Sequence, residues 1–189
     1  MPDPLTPPEI EQMTAAVRRW VETFVVELNL CPFAKKELLA NKVRFYVTPA
    51  DNEEALLLAL QAELDRLDQE PEIETTVLIL PHLLHDFLDY NQFLDLADAL
   101  IDQMGLDGVY QIASFHPDYQ YAGTQPADAE NYINRSPYPL LHILREDSVA
   151  KAIAGYPDVG QIPVRNIALM NEMGIEKLEL RRAKARDNT

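Results

Sequence analysis

A continuous apolar segment, Thr76-Val77-Leu78-Ile79-Leu80, is the feature of this sequence that most constrains its fold. An uninterrupted apolar run of this length is typical of a strand that is covered on both faces. Helical patterns flank it on both sides. One opens at a capping pair, Asp51 and Glu54, and the other extends from Leu84 to Met104. The segment therefore predicts an α/β protein.

Two further strands are predicted around this segment. In residues 43–47 apolar side chains alternate with polar ones, and residues 109–114 form a third apolar stretch. Because these three strands alternate with helices, we expect them to run parallel, in the order βαβαβ. A fourth strand is predicted over residues 140–145 and is expected to be antiparallel. The predicted fold class is therefore α/β, with a mixed four-stranded sheet of three parallel strands and one antiparallel strand.

Helices are predicted at both ends of the chain. Residues 6–9 have the spacing of a capping box, and apolar residues then recur at intervals of three and four through Leu28. Pro32 is expected to stop this helix and to open a short second one. A C-terminal helical stretch is predicted over residues 163–186. We expect these helices to pack on the sheet and residues 1–189 to form a single domain.

The charge of the chain is strongly negative and unevenly distributed. The sequence has 16 Lys and Arg against 31 Asp and Glu, a net charge of −15, and its pI is about 4.5. Residues 51–108 hold 15 acidic residues and one basic residue, Arg66, a net charge of −14. This region is either a solvated acidic face or a docking surface for a basic partner. Nucleic acid is excluded as the main partner, because phosphate binding needs clustered positive charge.

Cysteine content and hydropathy restrict the class further. Cys31 is the only cysteine, which excludes an internal disulfide and a zinc site built on several thiolates. No stretch approaches the roughly 20 apolar residues that cross a bilayer. The first residues lack the basic and apolar regions of a secretion signal. We therefore expect a cytoplasmic protein with no membrane partner.

The regular alternation of strands and helices ends after the third strand. Residues 116–137 show no periodicity and are rich in Pro, Asp, Asn and Tyr. Loops this long within a compact domain are often functional. In an open parallel sheet, ligands bind beyond the carboxyl ends of the strands. The loop begins at such an end, and Cys31 and His82 are expected to reach the same edge, so the sequence predicts a site there.

Cys31, His116 and Asp118 are the candidate catalytic residues of this edge. Cys31 precedes a helix-opening proline, and a helix N-terminus with nearby lysines stabilises a thiolate. The alternative for Cys31 is a small buried hydrophobe between two helices. His116 is the candidate general base, and the alternative is a histidine that bonds its own loop. A further alternative is a metal ion held by His82, His116 and Asp118.

An arginine in a polar loop beside Asn and Ser suits a carboxylate or phosphate ligand. The candidate substrate-binding residues are Asn134, Arg135, Ser136, Tyr138 and Arg145. The alternative for Arg135 is that it pins the loop to Asp118, Asp128 or Glu130. The sequence contains no Gly-rich phosphate loop and no Gly-x-Ser-x-Gly motif, so the common nucleotide-binding folds are disfavoured and no cofactor is identified.

Three segments of the chain resemble a known family. They are residues 28–34 (Leu-Asn-Leu-Cys-Pro-Phe-Ala), 114–119 (Ser-Phe-His-Pro-Asp-Tyr) and 134–139 (Asn-Arg-Ser-Pro-Tyr-Pro), the last continuing through His142, Leu144, Arg145 and Glu146. The resemblance is to the bacterial family known as domain of unknown function 1415, and it covers nearly the whole chain. It implies a stand-alone bacterial protein of about this length. It supplies no activity, cofactor or catalytic residue.

Two hypotheses from different classes remain for the function. The first is a small-molecule enzyme, a hydrolase or group transferase, that binds an anionic substrate at the carboxyl-terminal edge of the strands. In it, Asn134 and Arg135 bind the anion, His116 acts as general base, and Cys31 is either the nucleophile or a polar neighbour. The second is a non-enzymatic module that docks a basic protein through the acidic helices of residues 51–108.

Overall fold

A computed structural model describes residues 4–187, which form seven α-helices and four β-strands. The helices are α1 (Pro7–Trp20), α2 (Ala34–Leu39), α3 (Glu53–Gln69), α4 (Phe87–Gln103), α5 (Glu146–Ala154), α6 (Gln161–Met173) and α7 (Ile175–Asp187). The strands are β1 (Val43–Val47), β2 (Thr75–Ile79), β3 (Tyr110–Phe115) and β4 (Leu140–Arg145). A π-helical segment, Val21–Val26, extends α1, and a 3-10 helix, Ala129–Asn134, lies between β3 and β4.

The α/β class and the mixed four-stranded sheet are confirmed, but the prediction of three parallel strands is not. The strand order is β1-β2-β4-β3, in which β1 and β2 pair in parallel and β4 pairs antiparallel with both β2 and β3. β3 therefore runs in the same direction as β1 and β2 without pairing with either. The physical reason is that β4 is apolar enough to occupy the middle of the sheet, since Leu140, Leu141 and Ile143 are all fully buried.

Helices cover both faces of the sheet, as the apolar run of β2 predicts, and every residue of β2 is buried. On one face, α3 and α4 form a core that includes Leu60 and Tyr90. On the other face, α1, the π-helical segment, α6 and α7 form a second core that includes Trp20 and Leu178. The two ends of the described chain therefore pack on the face opposite α3 and α4.

The acidic excess lies on and around α3 and α4. Asp95, Asp98 and Asp102 are exposed at intervals of three and four on α4, and burial together with the neighbouring carboxylates raises the pKa of Asp98. Leu58 and Leu88 are also exposed, by 63% and 68%. Both helices are amphipathic, because their opposite faces bury apolar residues such as Leu60 and Tyr90. Across residues 4–187, no helix is long and apolar enough to span a membrane.

The N-terminal helix begins as predicted but is followed by a different turn. The Thr6 N–H donates to the Glu9 carboxylate at 2.8 Å, which completes the predicted capping box. The expectation that Pro32 opens the second helix is wrong, because α2 begins at Ala34. The Ala34 N–H bonds the Cys31 carbonyl at 3.2 Å and closes a separate turn through Pro32.

Candidate ligand-binding site

The ends of β1, β2 and β3 and the start of β4 meet at one edge of the sheet, which we call the rim. The register pairs Val47 with Ile79, and it pairs Leu140 with both Ile79 and Phe115. Because β3 ends and β4 begins at this edge, both ends of the loop 116–137 lie at the rim.

His116 joins the two ends of this loop. The side chain is fully buried, and its peptide N–H donates to the Asn134 carbonyl at 3.1 Å. Its own carbonyl accepts from the Ser136 N–H at 3.3 Å. The imidazole connects two further segments, since Nδ1 accepts from the Asp118 N–H at 3.0 Å and Nε2 lies 3.0 Å from the Leu84 carbonyl. These bonds tie the loop to the segment that precedes α4.

The same bonds determine the protonation state of His116. A ring nitrogen that accepts an N–H bond carries a lone pair, so Nδ1 is unprotonated and Nε2 carries the proton donated to Leu84. Burial beside the rings of Phe87 and Tyr90 lowers the pKa of this imidazole below its ordinary value of 6.5. Because the backbone occupies both ring nitrogens, His116 has no free lone pair for a substrate in this conformation. Its role as general base stays a prediction.

Arg135 binds the backbone of its own loop. Its Nε donates to the Tyr119 carbonyl at 3.1 Å, and its Nη2 donates to the Pro126 carbonyl at 2.8 Å. The guanidinium also lies 4.6 Å from the ring centre of Tyr132. Arg135 thus pins the loop, and its hydrogen-bond partners are carbonyls rather than the acidic side chains that the alternative named.

Four other predicted site residues also lie at the rim. Asn134 Nδ2 donates at 3.1 Å to a carbonyl at the end of β3. Ser136 is fully buried, and its hydroxyl donates to the Tyr138 carbonyl at 2.5 Å. Asp118 is exposed and contributes its peptide N–H to His116. These bonds shape the loop, and the substrate-binding roles of its residues stay predictions.

Cys31 lies in the turn between the π-helical segment and α2, where it is exposed. Both structural expectations for it are wrong. It is not a buried hydrophobe, and it is not at a helix N-terminus, because the N-cap of α2 is Phe33. The adjacent Leu30 carbonyl accepts from Asn166 of α6 at 2.8 Å, so this turn is held by a C-terminal helix. Within residues 4–187, no hydrogen bond joins Cys31 to His116.

Arg145 lies at the opposite edge of the sheet from the rim. It is the last residue of β4 and pairs with Tyr110 at the start of β3. Its guanidinium donates to the Tyr110 hydroxyl at 3.1 Å, to the Ile73 carbonyl at 3.1 Å and to the Leu67 carbonyl. The structure therefore separates Arg145 from Arg135, and the prediction that both belong to one substrate site is wrong.

The metal-binding alternative at His82, His116 and Asp118 is not supported by the donor geometry. Both ring nitrogens of His116 already bond the backbone. In the part of the chain that the structure describes, no three side chains of His, Cys, Asp or Glu are grouped closely enough to hold a metal ion. His82, His116 and Asp118 therefore do not form the predicted metal site.

A groove of about 230 Å³, here called the rim groove, separates the rim from α7. One side is formed by both ends of the loop, through Pro117, Ser136 and Pro137. The other side is one face of α7, on which the lining residues recur at helical intervals. They are Glu179, Arg182, Ala183, Arg186 and Asp187.

Two arginines of α7 place positive charge along the rim groove. Arg182 Nη1 donates to the Pro117 carbonyl at 2.7 Å and so ties α7 to the rim. Arg186, one turn further along, is exposed and forms no hydrogen bond or ion pair within residues 4–187. Arg182 also lies 5.9 Å from the Tyr132 ring that Arg135 contacts, so cations approach the rim from both the loop and α7.

The two carboxylates of the rim groove differ in their surroundings. Glu179 accepts the Tyr132 hydroxyl, and its other oxygen lies 3.9 Å from Arg182 Nε. Burial and this carboxylate raise the pKa of the Tyr132 phenol, so the phenol is the proton donor of the pair. Asp187 is exposed at the end of α7. Because Glu179 is already bonded, it opposes a bound anion less than a free carboxylate does.

Sequence reasoning missed the contribution of α7. Basic residues near a helix C-terminus are explained by the helix dipole, which hides a binding role. The available signal is the spacing of Glu179, Arg182 and Arg186, which places all three on one helical face. What that face meets is decided by tertiary structure, since Pro117 lies 65 residues from Arg182 along the chain.

The fold and site define an α/β protein with a mixed sheet and a small groove at the rim. The chain belongs to the family described as Protein of unknown function (DUF1415), whose model matches residues 12–180. The match covers all four strands and ends within α7. No curated protein and no solved structure matches the chain significantly.

Proposed function

We propose that this protein binds a small anionic molecule in the rim groove, with Arg182 and Arg186 as cationic anchors. The observation that carries the proposal is the face of α7, which aligns two guanidinium groups along a groove of about 230 Å³. Guanidinium groups bind carboxylates and phosphates through paired N–H bonds. A volume below the roughly 300–1,000 Å³ of drug-sized sites suits a small metabolite.

The position of the rim groove also supports an anionic ligand. The acidic helices α3 and α4 lie on the other face of the sheet, so the groove opens on the less acidic side of the protein. Arg182 uses one N–H for the Pro117 carbonyl and therefore both builds the groove and faces it. Within the described residues 4–187, no hydrogen bond or ion pair occupies the donors of Arg186. A substitution of Arg186 therefore tests ligand binding without removing a bond that holds the groove together.

Arg186→Gln is expected to weaken the binding of sulfate and of succinate about tenfold, which is about 1.4 kcal/mol, because one charge-assisted contact is lost. Binding is measured by isothermal titration calorimetry at neutral pH. Lys184→Gln is the matched control, since Lys184 is an exposed residue of the same helix outside the groove and carries the same charge. An equal loss in both variants, or no saturable binding of either anion by the unchanged protein, contradicts the proposal.

The hydrolase or transferase hypothesis adds a chemical step to this binding, with Cys31, His116 and Asp118 as its catalytic residues. Its support is that Pro117, between His116 and Asp118, lines the rim groove. It needs His116 to exchange a backbone bond for a substrate bond. The chemical step stays a prediction. Its test is the hydrolysis of p-nitrophenyl acetate: if the Cys31→Ala variant hydrolyses this ester as fast as the unchanged protein does, Cys31 is not the nucleophile.

Docking of a basic protein on α3 and α4 is the second candidate function. The observation that favours it is the combination of exposed aspartates on α4 with the exposed Leu58 and Leu88. Such binding is expected to weaken with salt. The measurement is the affinity of the protein for an oligolysine peptide. If the double variant Asp95→Lys, Asp98→Lys binds the peptide as tightly as the unchanged protein does, docking on α4 is contradicted.

A further inference from the structure

We propose that His116 is the positioning residue of the rim groove and that protonation of its imidazole opens the groove, so that the bound anion is released in acid. This inference rests on the anion binding proposed above and concerns the regulation of the same site. It gives His116 a different role from general-base catalysis, since the imidazole acts through the loop backbone and does not contact the ligand.

The geometry begins with the backbone of His116. Its carbonyl holds the Ser136 N–H at 3.3 Å, and its peptide bond leads directly into Pro117. Ser136 and Pro117 both line the rim groove, on the side that faces α7. The Pro117 carbonyl in turn accepts from Arg182 at 2.7 Å. A shift of His116 therefore moves one side of the groove and removes the partner of one of its two arginines.

The ring holds this backbone in place only while it is neutral. Nδ1 accepts from the Asp118 N–H at 3.0 Å, and Nε2–H donates to the Leu84 carbonyl at 3.0 Å. A second proton on Nδ1 would set two N–H groups against each other, so the bond to Asp118 must break. Leu84 has a left-handed backbone with φ of 57°, so the partner segment is itself held in an unfavourable conformation.

The charged and titratable groups around His116 determine whether its imidazole is neutral or protonated at neutral pH. Tyr90 faces it from α4, Asp86 and the backbone of His85 from the segment before α4, and Asp118 from the loop. Asp86 and Asp118 favour the charged imidazole, but burial disfavours it more strongly, so the pKa of His116 lies below its ordinary value of 6.5. The ring is therefore neutral at neutral pH, where the groove is formed, and gains its proton only in acid.

The test is the affinity for sulfate between about pH 7.5 and about pH 5, a range in which sulfate stays a dianion and histidines titrate. We call the neutral His116 ring, with its bonds to Asp118 and Leu84, the latch. Its protonation is expected to lower the affinity for sulfate about fivefold or more, within the usual range of coupling between two sites. Simple electrostatics predicts the opposite, because the protein as a whole becomes more positive in acid and should then attract an anion more strongly. An affinity that stays constant or rises while the ring signals of His116 show that the imidazole has gained its proton overturns the proposal with the unchanged protein alone.

Two variants separate the latch from general acid unfolding. His116→Asn cannot titrate, so whatever affinity for sulfate this variant retains at neutral pH is expected not to fall in acid. His142→Leu is the control, because burial lowers the pKa of His142 to about 4 and this histidine lies within the sheet at β4. It is expected to keep the release. Circular dichroism at each pH shows that the protein is folded, and release that persists in His116→Asn overturns the proposal.

The latch can fail separately from the proposed function. Sulfate that binds at neutral pH without acid release supports the groove and overturns the latch. If sulfate does not bind at all, hydrogen exchange of the Asp118 and Ser136 amides still decides. The protonation of His116 is followed by the NMR signals of its ring. The latch predicts that both amides exchange faster with solvent as the ring gains its proton. Exchange rates that do not change overturn the latch.

Discussion

Replacing Arg145 with methionine is expected to lower the free energy of unfolding by about 3 kcal/mol, because hydrogen bonds from a charged group contribute about 1.5–3 kcal/mol each and are not additive. The guanidinium holds the Leu67 and Ile73 carbonyls, on either side of the turn between α3 and β2, and the Tyr110 hydroxyl. Methionine fills similar space but leaves these acceptors without a donor. The measurement is urea unfolding at neutral pH.

Arg145→Lys is the matched control for charge. A lysine keeps the positive charge but has no planar fork to reach three acceptors, so most of the loss is expected to remain. Sulfate affinity is expected to be unchanged in both variants, because Arg145 lies at the edge of the sheet opposite the rim. Sulfate binding lost in a folded Arg145→Met protein would return Arg145 to the substrate-binding group.

Tyr90→Phe is expected to lower the free energy of unfolding by about 2 kcal/mol through the loss of a single oxygen atom, since one buried and one partly buried backbone group lose their partner. The Tyr90 hydroxyl donates to the Leu140 carbonyl at 2.6 Å and accepts from the Phe115 N–H at 3.0 Å. These groups are the first residue of β4 and the last residue of β3. Burial raises the pKa of this phenol, so it stays a neutral donor at every physiological pH.

Urea unfolding measures the effect, with Tyr156→Phe as the control. Tyr156 packs its ring against Phe33 at 5.6 Å, and its hydroxyl forms no hydrogen bond within residues 4–187. Its loss is expected to change stability by less than about 0.5 kcal/mol, as for most surface substitutions. Equal losses in the two variants would show that the Tyr90 hydroxyl does not join the strand ends. Because β3 ends and β4 begins at the rim, we also expect Tyr90→Phe to weaken sulfate binding.

Much of the rim could be predicted from the sequence. An apolar run bounded by helical patterns indicates an α/β sheet, and strand direction then places the end of β3 and the start of β4 at one edge. His116 was found in this way, because it directly follows the last residue of β3. These predictions depend on local periodicity, which the amino-acid order contains directly.

The roles of the arginines could not be predicted in the same way. Arg135 and Arg145 were grouped because both are isolated cations in an acidic chain, yet each binds carbonyls at a different edge of the sheet. A backbone carbonyl that accepts a hydrogen bond cannot be recognised from the residue types, since every residue carries one. Charge alone therefore points equally to a ligand and to the backbone.

The sequence by itself determined the class of fold, the identity of the strands and the residues that lie at their ends. Only the tertiary structure decided that β4 enters between β2 and β3 and that α7 faces the rim. The physical reason is distance along the chain. Strands and helices form from neighbouring residues, whereas Arg182 meets Pro117 across 65 residues and Arg145 meets Leu67 across 78. Such pairs form only after the sheet and the two helical layers have been assembled.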